Sequence, residues 1–248
     1  MLGISLGGLQ KTSLIDYPGC IASVVFTRGC NFRCPYCHNP ELVYPEQYAP
    51  LLECDYVLDF LRKGTRHREA VVVSGGEPTI HKNICYFLKF LKDFGYLVKL
   101  DTNGSYPDVL NTLIKERFVD YVAIDVKAPK KKYTTVAGTV ENPYESVMKS
   151  VDLVLRSGLP YEFRTVFDRE LLVEPDIEEI RRTLPKGVNY KVKEYFSTIR
   201  LAAVIPLTAA PTIPLLCPAP SPATKSLSFV VSCLSVTYFK LPVLISGA

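Results

Sequence analysis

The sequence lacks a strong excess of charge of either sign, a signal for secretion and an uninterrupted hydrophobic helix. Its 248 residues contain 29 Lys and Arg against 25 Asp and Glu, a bias too small to predict nucleic-acid binding. Residues 1–19 have no basic segment followed by an apolar one, so we expect a cytoplasmic protein. The 48% hydrophobic and 22% charged fractions are typical of a globular domain, which excludes a wholly disordered chain and a polytopic membrane protein.

Acidic residues are missing altogether from the C-terminal segment. Residues 197–248 contain three basic residues, no acidic residue and seven of the 19 prolines. These prolines would repeatedly break a membrane-spanning helix. We therefore predict a globular domain over 1–196 and an atypical tail over 197–248, which is disordered or arises from a shifted reading frame. A genuine Pro-rich extension that binds a membrane or a partner is the alternative.

The eight cysteines do not have the spacing of a disulfide framework. Cys30, Cys34 and Cys37 lie close together, whereas the other five are scattered. In a chain without a secretory signal, such a cluster indicates a metal or redox site. Three thiolates on one loop can bind three irons of a cubane cluster and leave the fourth iron open to a ligand. A Cys3His zinc site that uses His38 is the alternative, although no second segment offers the usual separated pair of ligands.

Short apolar β-branched runs alternate with amphipathic helical segments, which predicts a parallel sheet with helical connections. The strands are predicted at 21–27, 70–74, 97–101, 121–127, 161–167 and 190–196, and the helices at 55–66, 84–95, 109–118, 143–158 and 177–184. Nearly continuous hydrophobic strands indicate a sheet that is covered on both faces. An open doubly wound sheet and a barrel of fewer than eight βα units both fit. In either fold, functional residues belong at the carboxyl ends of the strands.

Polar residues follow five consecutive strands at that edge. The cysteine loop follows the first strand, and Gly75, Gly76 and Glu77 follow the second. The glycines permit close approach of a ligand to the backbone, and Glu77 offers an acceptor for an ammonium group. The later strands supply Asp101, Thr102 and Asn103, then Asp125 and Lys127, then Arg164. Each feature alone is commonly a turn or a salt bridge, but five at one edge favour a single site.

The segment RGCNFRCPYCHNPEL (28–42) has the spacing Cys-x3-Cys-x2-Cys with Tyr36 before the last cysteine, and it resembles the cluster motif of the radical S-adenosylmethionine (SAM) superfamily. KTSLIDYPG, VVSGGEPTIHK, LVKLDTNG, VDYVAIDVKAPKKKY and YEFRT resemble its activating proteins of anaerobic ribonucleoside-triphosphate reductase and pyruvate formate-lyase. The resemblance implies a partial (β/α)6 barrel. It also implies a 4Fe-4S cluster that cleaves SAM to a 5′-deoxyadenosyl radical, which takes hydrogen from a glycine of a partner enzyme.

The resemblance also implies roles for individual residues. Cys30, Cys34 and Cys37 would be the metal ligands and form the catalytic centre. Tyr36, Gly75, Gly76, Glu77, Asn103, Lys127 and Arg164 would lie around SAM, and Asp101, Thr102 and Asp125 match a segment associated with cofactor contacts and a monovalent cation. The match ends near residue 196, so elements that close the barrel in the family have no counterpart in this sequence.

The implied partners are a glycyl radical enzyme, here anaerobic ribonucleotide reductase, and a flavodoxin- or ferredoxin-type electron donor, with no nucleic acid and no membrane. The loop KAPKKKY (127–133) carries four lysines at the active edge, where they would steer an acidic surface of the partner or simply be solvated. A superfamily enzyme that acts on a small molecule or an RNA base is one alternative function. A non-catalytic zinc-binding module is another.

Overall fold

The computed structural model describes residues 3–195; the predicted tail and its boundary lie outside the described residues. A single sheet contains the strands β1 Leu6–Ser13, β2 Ala22–Thr27, β3 Ala70–Gly75, β4 Leu97–Thr102, β5 Tyr121–Asp125, β6 Tyr161–Phe167 and β7 Tyr190–Glu194. The helices are α1 Pro40–Val43, α2 Cys54–Gly64, α3 Ile84–Asp93, α4 Pro107–Lys115, α5 Tyr133–Ala137, α6 Tyr144–Ser157 and α7 Glu174–Thr183. Over residues 3–195, no helix is long and apolar enough to cross a membrane.

The order of the strands decides between the two architectures. The strands lie in the sheet in the order β1 to β7, as in the sequence. β2 to β7 are parallel, and β1 pairs antiparallel with β2. A doubly wound sheet requires the strand order to reverse, whereas right-handed crossovers that always advance in one direction place the helices on one face and curl the sheet. The structure therefore confirms the partial (β/α)6 barrel.

Three elements are absent from the sequence-based expectation. The first strand is β1 and not the predicted strand at 21–27. Gly7 and Gly8 weaken the strand signal of β1 in the sequence, and pairing with β2 stabilises the strand. The helices α1 and α5 have four and five residues, too few to show a hydrophobic period. The five longer helices and six parallel strands lie where the sequence predicts them, with ends that differ by a few residues.

The two faces of the sheet have different chemistry. The outer face buries residues such as Val98, Leu100 and Phe163 against the helices. The inner face begins with a separate apolar cluster, formed by Tyr17, Ala22, Val24, Ala70, Val72 and Tyr121. Further toward the carboxyl ends of the strands, the inner face becomes charged. The barrel thus has an apolar base and a polar interior next to the edge at which the site is predicted.

Candidate active site

A cleft of about 170 Å³ opens at the carboxyl ends of β2 to β6. Twelve of the thirteen predicted site residues line it, namely Cys30, Cys34, Tyr36, Cys37, Gly75, Gly76, Asp101, Thr102, Asn103, Asp125, Lys127 and Arg164. The exception is Glu77. The cleft is also lined by Phe32, His38, Asn39, Val43, Ser74 and Val166. The polar ends of five parallel strands therefore meet around one cavity, as a barrel with the site at its carboxyl edge requires.

The loop with the three cysteines is held by short-range hydrogen bonds. Phe32 N donates to Cys30 Sγ at 3.4 Å, and Cys37 N donates to Cys34 O at 3.0 Å. Burial, reinforced by the charge of Glu77, raises the pKa of the Cys30 thiol to about 12, and burial also raises the pKa of Cys34. These two thiols are therefore protonated at neutral pH in the metal-free chain. Binding of a metal must displace their protons.

The Tyr36 hydroxyl is an orphaned polar group beside these cysteines. Tyr36 is buried, and its hydroxyl has no hydrogen-bond partner among residues 3–195. The Lys127 ammonium lies 5.9 Å from the centre of its ring. A buried hydroxyl without a partner costs about 1–3 kcal/mol, so a ligand in the cleft that bonded to it would gain affinity. Three thiols around a cavity with such a hydroxyl fit an iron–sulfur cluster and an organic ligand.

The zinc alternative requires three or four ligand side chains around one ion. In the part of the chain that the structure describes, no three Cys, His, Asp or Glu side chains are grouped closely enough to hold one metal ion. A cubane cluster makes a different demand, because each cysteine binds a different iron. Cys30, Cys34 and Cys37 all line the cleft, which is compatible with that demand.

Gly75, the last residue of β3, and Gly76, which follows it, allow the backbone after β3 to touch the backbone after β2. Gly76 N donates to Thr27 O at 2.9 Å, and Glu77 N donates to Gly29 O at 2.8 Å. A Cβ atom on Gly76 would lie 1.9 Å from Gly29 O, so no other residue fits without moving the loop. The sequence predicts that a ligand approaches the backbone closely at these glycines. At Gly76, the loop that leads to the cysteines occupies that position instead.

Glu77 lies beneath the cleft and is fully buried. One carboxylate oxygen accepts hydrogen bonds from Thr79 N at 3.0 Å, from Thr79 Oγ1 and from Thr102 Oγ1 at 2.6 Å. The other accepts from Asn103 N at 2.6 Å. Burial raises the pKa of Glu77, while these hydrogen bonds oppose the rise. The carboxylate joins the ends of β3 and β4 and does not itself line the cleft.

A largely buried ion-pair network forms the other wall. Asp125 accepts from Arg164 Nε at 2.8 Å and from Lys127 Nζ at 2.9 Å. Burial alone would raise the pKa of Asp125, but the two cations outweigh it and hold the pKa well below its usual range. Arg164 also lies 3.3 Å from Asp101 Oδ2. Asp125, Lys127 and Arg164 are therefore ionised at neutral pH and present fixed charges of both signs to the cleft.

The network extends through residues that the sequence analysis did not single out. Lys99 is buried, donates to Asp16 O at 2.7 Å and lies 3.3 Å from Asp101 Oδ1. Glu162 lies 3.4 Å from Arg164 and 2.7 Å from Lys191. A charged residue inside an apolar strand is the signal that identified Arg164, and the same signal would have identified Lys99 and Glu162.

The lysine-rich loop is less cationic than the sequence predicts. Lys127 is paired with Asp125 in the cleft, Lys130 Nζ lies 2.5 Å from Glu145, and Lys132 Nζ lies 2.7 Å from Asp176. Of the four lysines in this loop, only Lys131 has no ion-pair partner among residues 3–195, and it is exposed. The expectation of a four-lysine patch is corrected to a single lysine without an ion pair in this loop, because the nearby Asp125 and the more distant Glu145 and Asp176 neutralise the other three.

Comparisons with known proteins agree with this geometry. Residues 24–184 match the family profile of the radical SAM superfamily. A protein of Methanocaldococcus jannaschii named as a glycyl-radical enzyme activating enzyme is 35% identical over 195 residues, which span 77% of this chain and 79% of that protein. The pyruvate formate-lyase-activating enzyme of Clostridium pasteurianum is 29% identical over 159 residues, which span 58% of this chain and 61% of that enzyme.

Solved structures show the same fold at low sequence identity. The structure titled native anSMEcpe with bound AdoMet superposes with a TM-score of 0.52 at 14% identity, over 68% of this chain and 49% of that chain. At this identity the likeness concerns the fold alone.

Proposed function

The chain belongs to the radical SAM superfamily and is an enzyme that uses a 4Fe-4S cluster and SAM. We propose that it generates a glycyl radical on anaerobic ribonucleoside-triphosphate reductase or a related enzyme. It does so in the cytoplasm, with an electron from a flavodoxin- or ferredoxin-type donor. The observation that carries the proposal is the convergence of Cys30, Cys34 and Cys37 with the Tyr36 hydroxyl and the ion-pair network around one cleft. The names of the relatives support an activase.

Each wall of the cleft has a part in this chemistry. Cys30, Cys34 and Cys37 hold the cluster; when bound, the cluster supplies one electron and SAM supplies the group that abstracts hydrogen. The hydroxyl of Tyr36 and the ammonium of Lys127 offer hydrogen bonds to the polar ends of the ligand. Phe32, on the apolar side, helps to exclude water from the reacting atoms.

Anaerobic reconstitution followed by spectroscopy tests this function. We expect the full chain to bind about four irons and four sulfides, to cleave SAM when reduced, and to produce an electron paramagnetic resonance signal of a glycyl radical in the purified reductase. Cleavage of SAM without a radical in the reductase would show that the partner is wrong. A radical or product formed on a small molecule or an RNA base would favour the alternative superfamily function, and zinc without sulfide would contradict the cluster.

Lys127 and Glu77 are expected to control the affinity for SAM. Lys127→Ala removes an ammonium from the cleft, and Glu77→Gln replaces an acceptor by an amide beside the N–H of Asn103. Lys127→Ala loses a direct charge-assisted hydrogen bond to the ligand, whereas Glu77→Gln disturbs the carboxylate contacts that hold Thr102 and Asn103 at the cleft; each change should weaken binding by roughly 1–3 kcal/mol. Titration of the reconstituted protein with SAM measures the change, and iron content shows that the cluster is retained. Unchanged affinity in both variants would remove this role.

Lys131 is the residue at which charge reversal tests docking of the partner. Lys131→Glu breaks no ion pair among residues 3–195, whereas reversal at Lys130 or Lys132 would also repel Glu145 or Asp176. We expect activation of the partner to become slower at low salt, while cleavage of SAM without the partner is unchanged, because a surface charge acts on the rate of association. Equal activation rates for variant and wild type at low salt would exclude docking at this loop.

A further inference from the structure

The short helix α5 ends directly against the cysteine loop. Arg33 N donates to Ala137 O at 2.8 Å, and Cys34 Sγ lies 3.7 Å from the same oxygen. Gly138 follows with a φ of 63°, in the left-handed region that favours glycine. A Cβ atom on Gly138 would lie 2.1 Å from Arg33 O. Backbone therefore packs on backbone here, and a side chain at this position would separate the turn from the loop.

The other end of α5 holds the end of β5. The side chain of Tyr133 is fully buried. Its hydroxyl accepts a hydrogen bond from Lys127 N at 3.2 Å and lies 3.4 Å from Asp125 O, to which it donates. These two backbone groups flank the strand end whose side chains form the ion-pair wall of the cleft. One helix of five residues thus contacts both the cysteine loop and the charged wall.

We propose that α5 and Gly138 form a brace that positions the cysteine loop against the end of β5, with Gly138 and Tyr133 as positioning residues. Neither residue lines the cleft, so each acts through the groups that it holds. The brace covers the thiol of Cys34, which is buried while Cys37 is partly exposed. The inference rests on the proposed role of the three cysteines and is independent of the identity of the partner enzyme.

A matched pair of glycine substitutions tests the brace. Gly138 and Gly158 both terminate helices in the left-handed conformation, with φ of 63° and 73°. Alanine at either position has the same backbone strain, but a Cβ on Gly158 meets no atom within 4 Å. Any difference between Gly138→Ala and Gly158→Ala therefore reports the contact with Arg33. Circular dichroism and thermal unfolding of the full chain show whether both variants fold.

The first readout uses the metal-free protein and no activity. Peptide mass spectrometry after timed alkylation should show that Cys34 in Gly138→Ala reacts about tenfold faster than in wild type. The reason is that overpacking at position 138 moves the end of α5 away from the Cys34 thiol. Cys34 in Gly158→Ala and Cys85 in both variants should react at the wild-type rate. The second readout is loss of iron from the reconstituted protein to a chelator, which should also be about tenfold faster only in Gly138→Ala.

Tyr133→Phe keeps the ring and removes the hydroxyl, and it replaces Gly138→Ala if that variant does not fold. We expect Tyr133→Phe to retain the cluster and to bind SAM several-fold more weakly, since the end of β5 loses one hydrogen bond at each of two backbone groups. Equal alkylation and chelation rates in the two glycine variants, or unchanged SAM affinity in Tyr133→Phe, would overturn the brace. If the wild-type chain binds no iron, the cysteine assignment fails, whereas the alkylation of Cys34 still tests the brace.

Discussion

Replacement of Cys30, Cys34 or Cys37 by alanine is expected to abolish both cluster assembly and SAM cleavage. Each substitution removes one of the three proposed protein ligands, and no further thiol from residues 3–195 lines the cleft to replace it. Iron and sulfide analysis after anaerobic reconstitution measures the first loss, and the release of 5′-deoxyadenosine measures the second.

Two other cysteines provide controls for this experiment. Cys54 lies at the start of α2 and Cys85 lies in α3, where both pack against the outer apolar core and neither lines the cleft. Cys54→Ala and Cys85→Ala should therefore retain iron, sulfide and activity. If Cys54→Ala lost the cluster as completely as Cys34→Ala, the assignment of the ligands would be wrong.

Arg164→Met should have the second largest effect, a loss of up to about 3–5 kcal/mol in the free energy of unfolding, because it removes the cation that Asp125 and Asp101 share and leaves these largely buried carboxylates with only Lys127 and Lys99. Arg164 bridges Asp125 and Asp101 from inside β6, where its side chain is 14% exposed. Urea unfolding of the metal-free protein measures the stability. Arg169→Met is the matched control, since Arg169 pairs with Glu194 at the surface and such pairs contribute about 0–1 kcal/mol. Equal losses in the two variants would contradict a structural network.

The same variant should change the dependence of stability on pH. The folded-state pKa of Asp125 is lowered, so its contribution is fully present above the ordinary pKa of an aspartate and is lost as the pH falls through the folded value. Removal of Arg164 withdraws the main cation that lowers this pKa. The wild type should therefore lose more stability than Arg164→Met when unfolding is compared at neutral and at acidic pH. Parallel losses would show that another group controls the acid sensitivity.

Local sequence was sufficient to identify the chemistry and most of the fold. The spacing of Cys30, Cys34 and Cys37 requires only one loop, and the six parallel strands have hydrophobic runs that are visible without tertiary contacts. Because parallel strands share one carboxyl edge, the sequence also predicts that Asp125 and Arg164 meet there. They do, in register as direct neighbours on β5 and β6.

Only the tertiary structure decided the features that depend on residues distant in the chain, namely the strand order, the position of Glu77 and the ion pairs of the lysine-rich loop. Strand order distinguishes a barrel from a doubly wound sheet, and it is a property of the whole sheet. β1 is a strand because it pairs with the edge of β2. Glu77 lies below the cleft because donors from two later turns surround it. Lys130 and Lys132 are neutralised by acids 15 and 44 residues away. No local pattern encodes such pairs, because their free energy arises only when folding brings the two charges together.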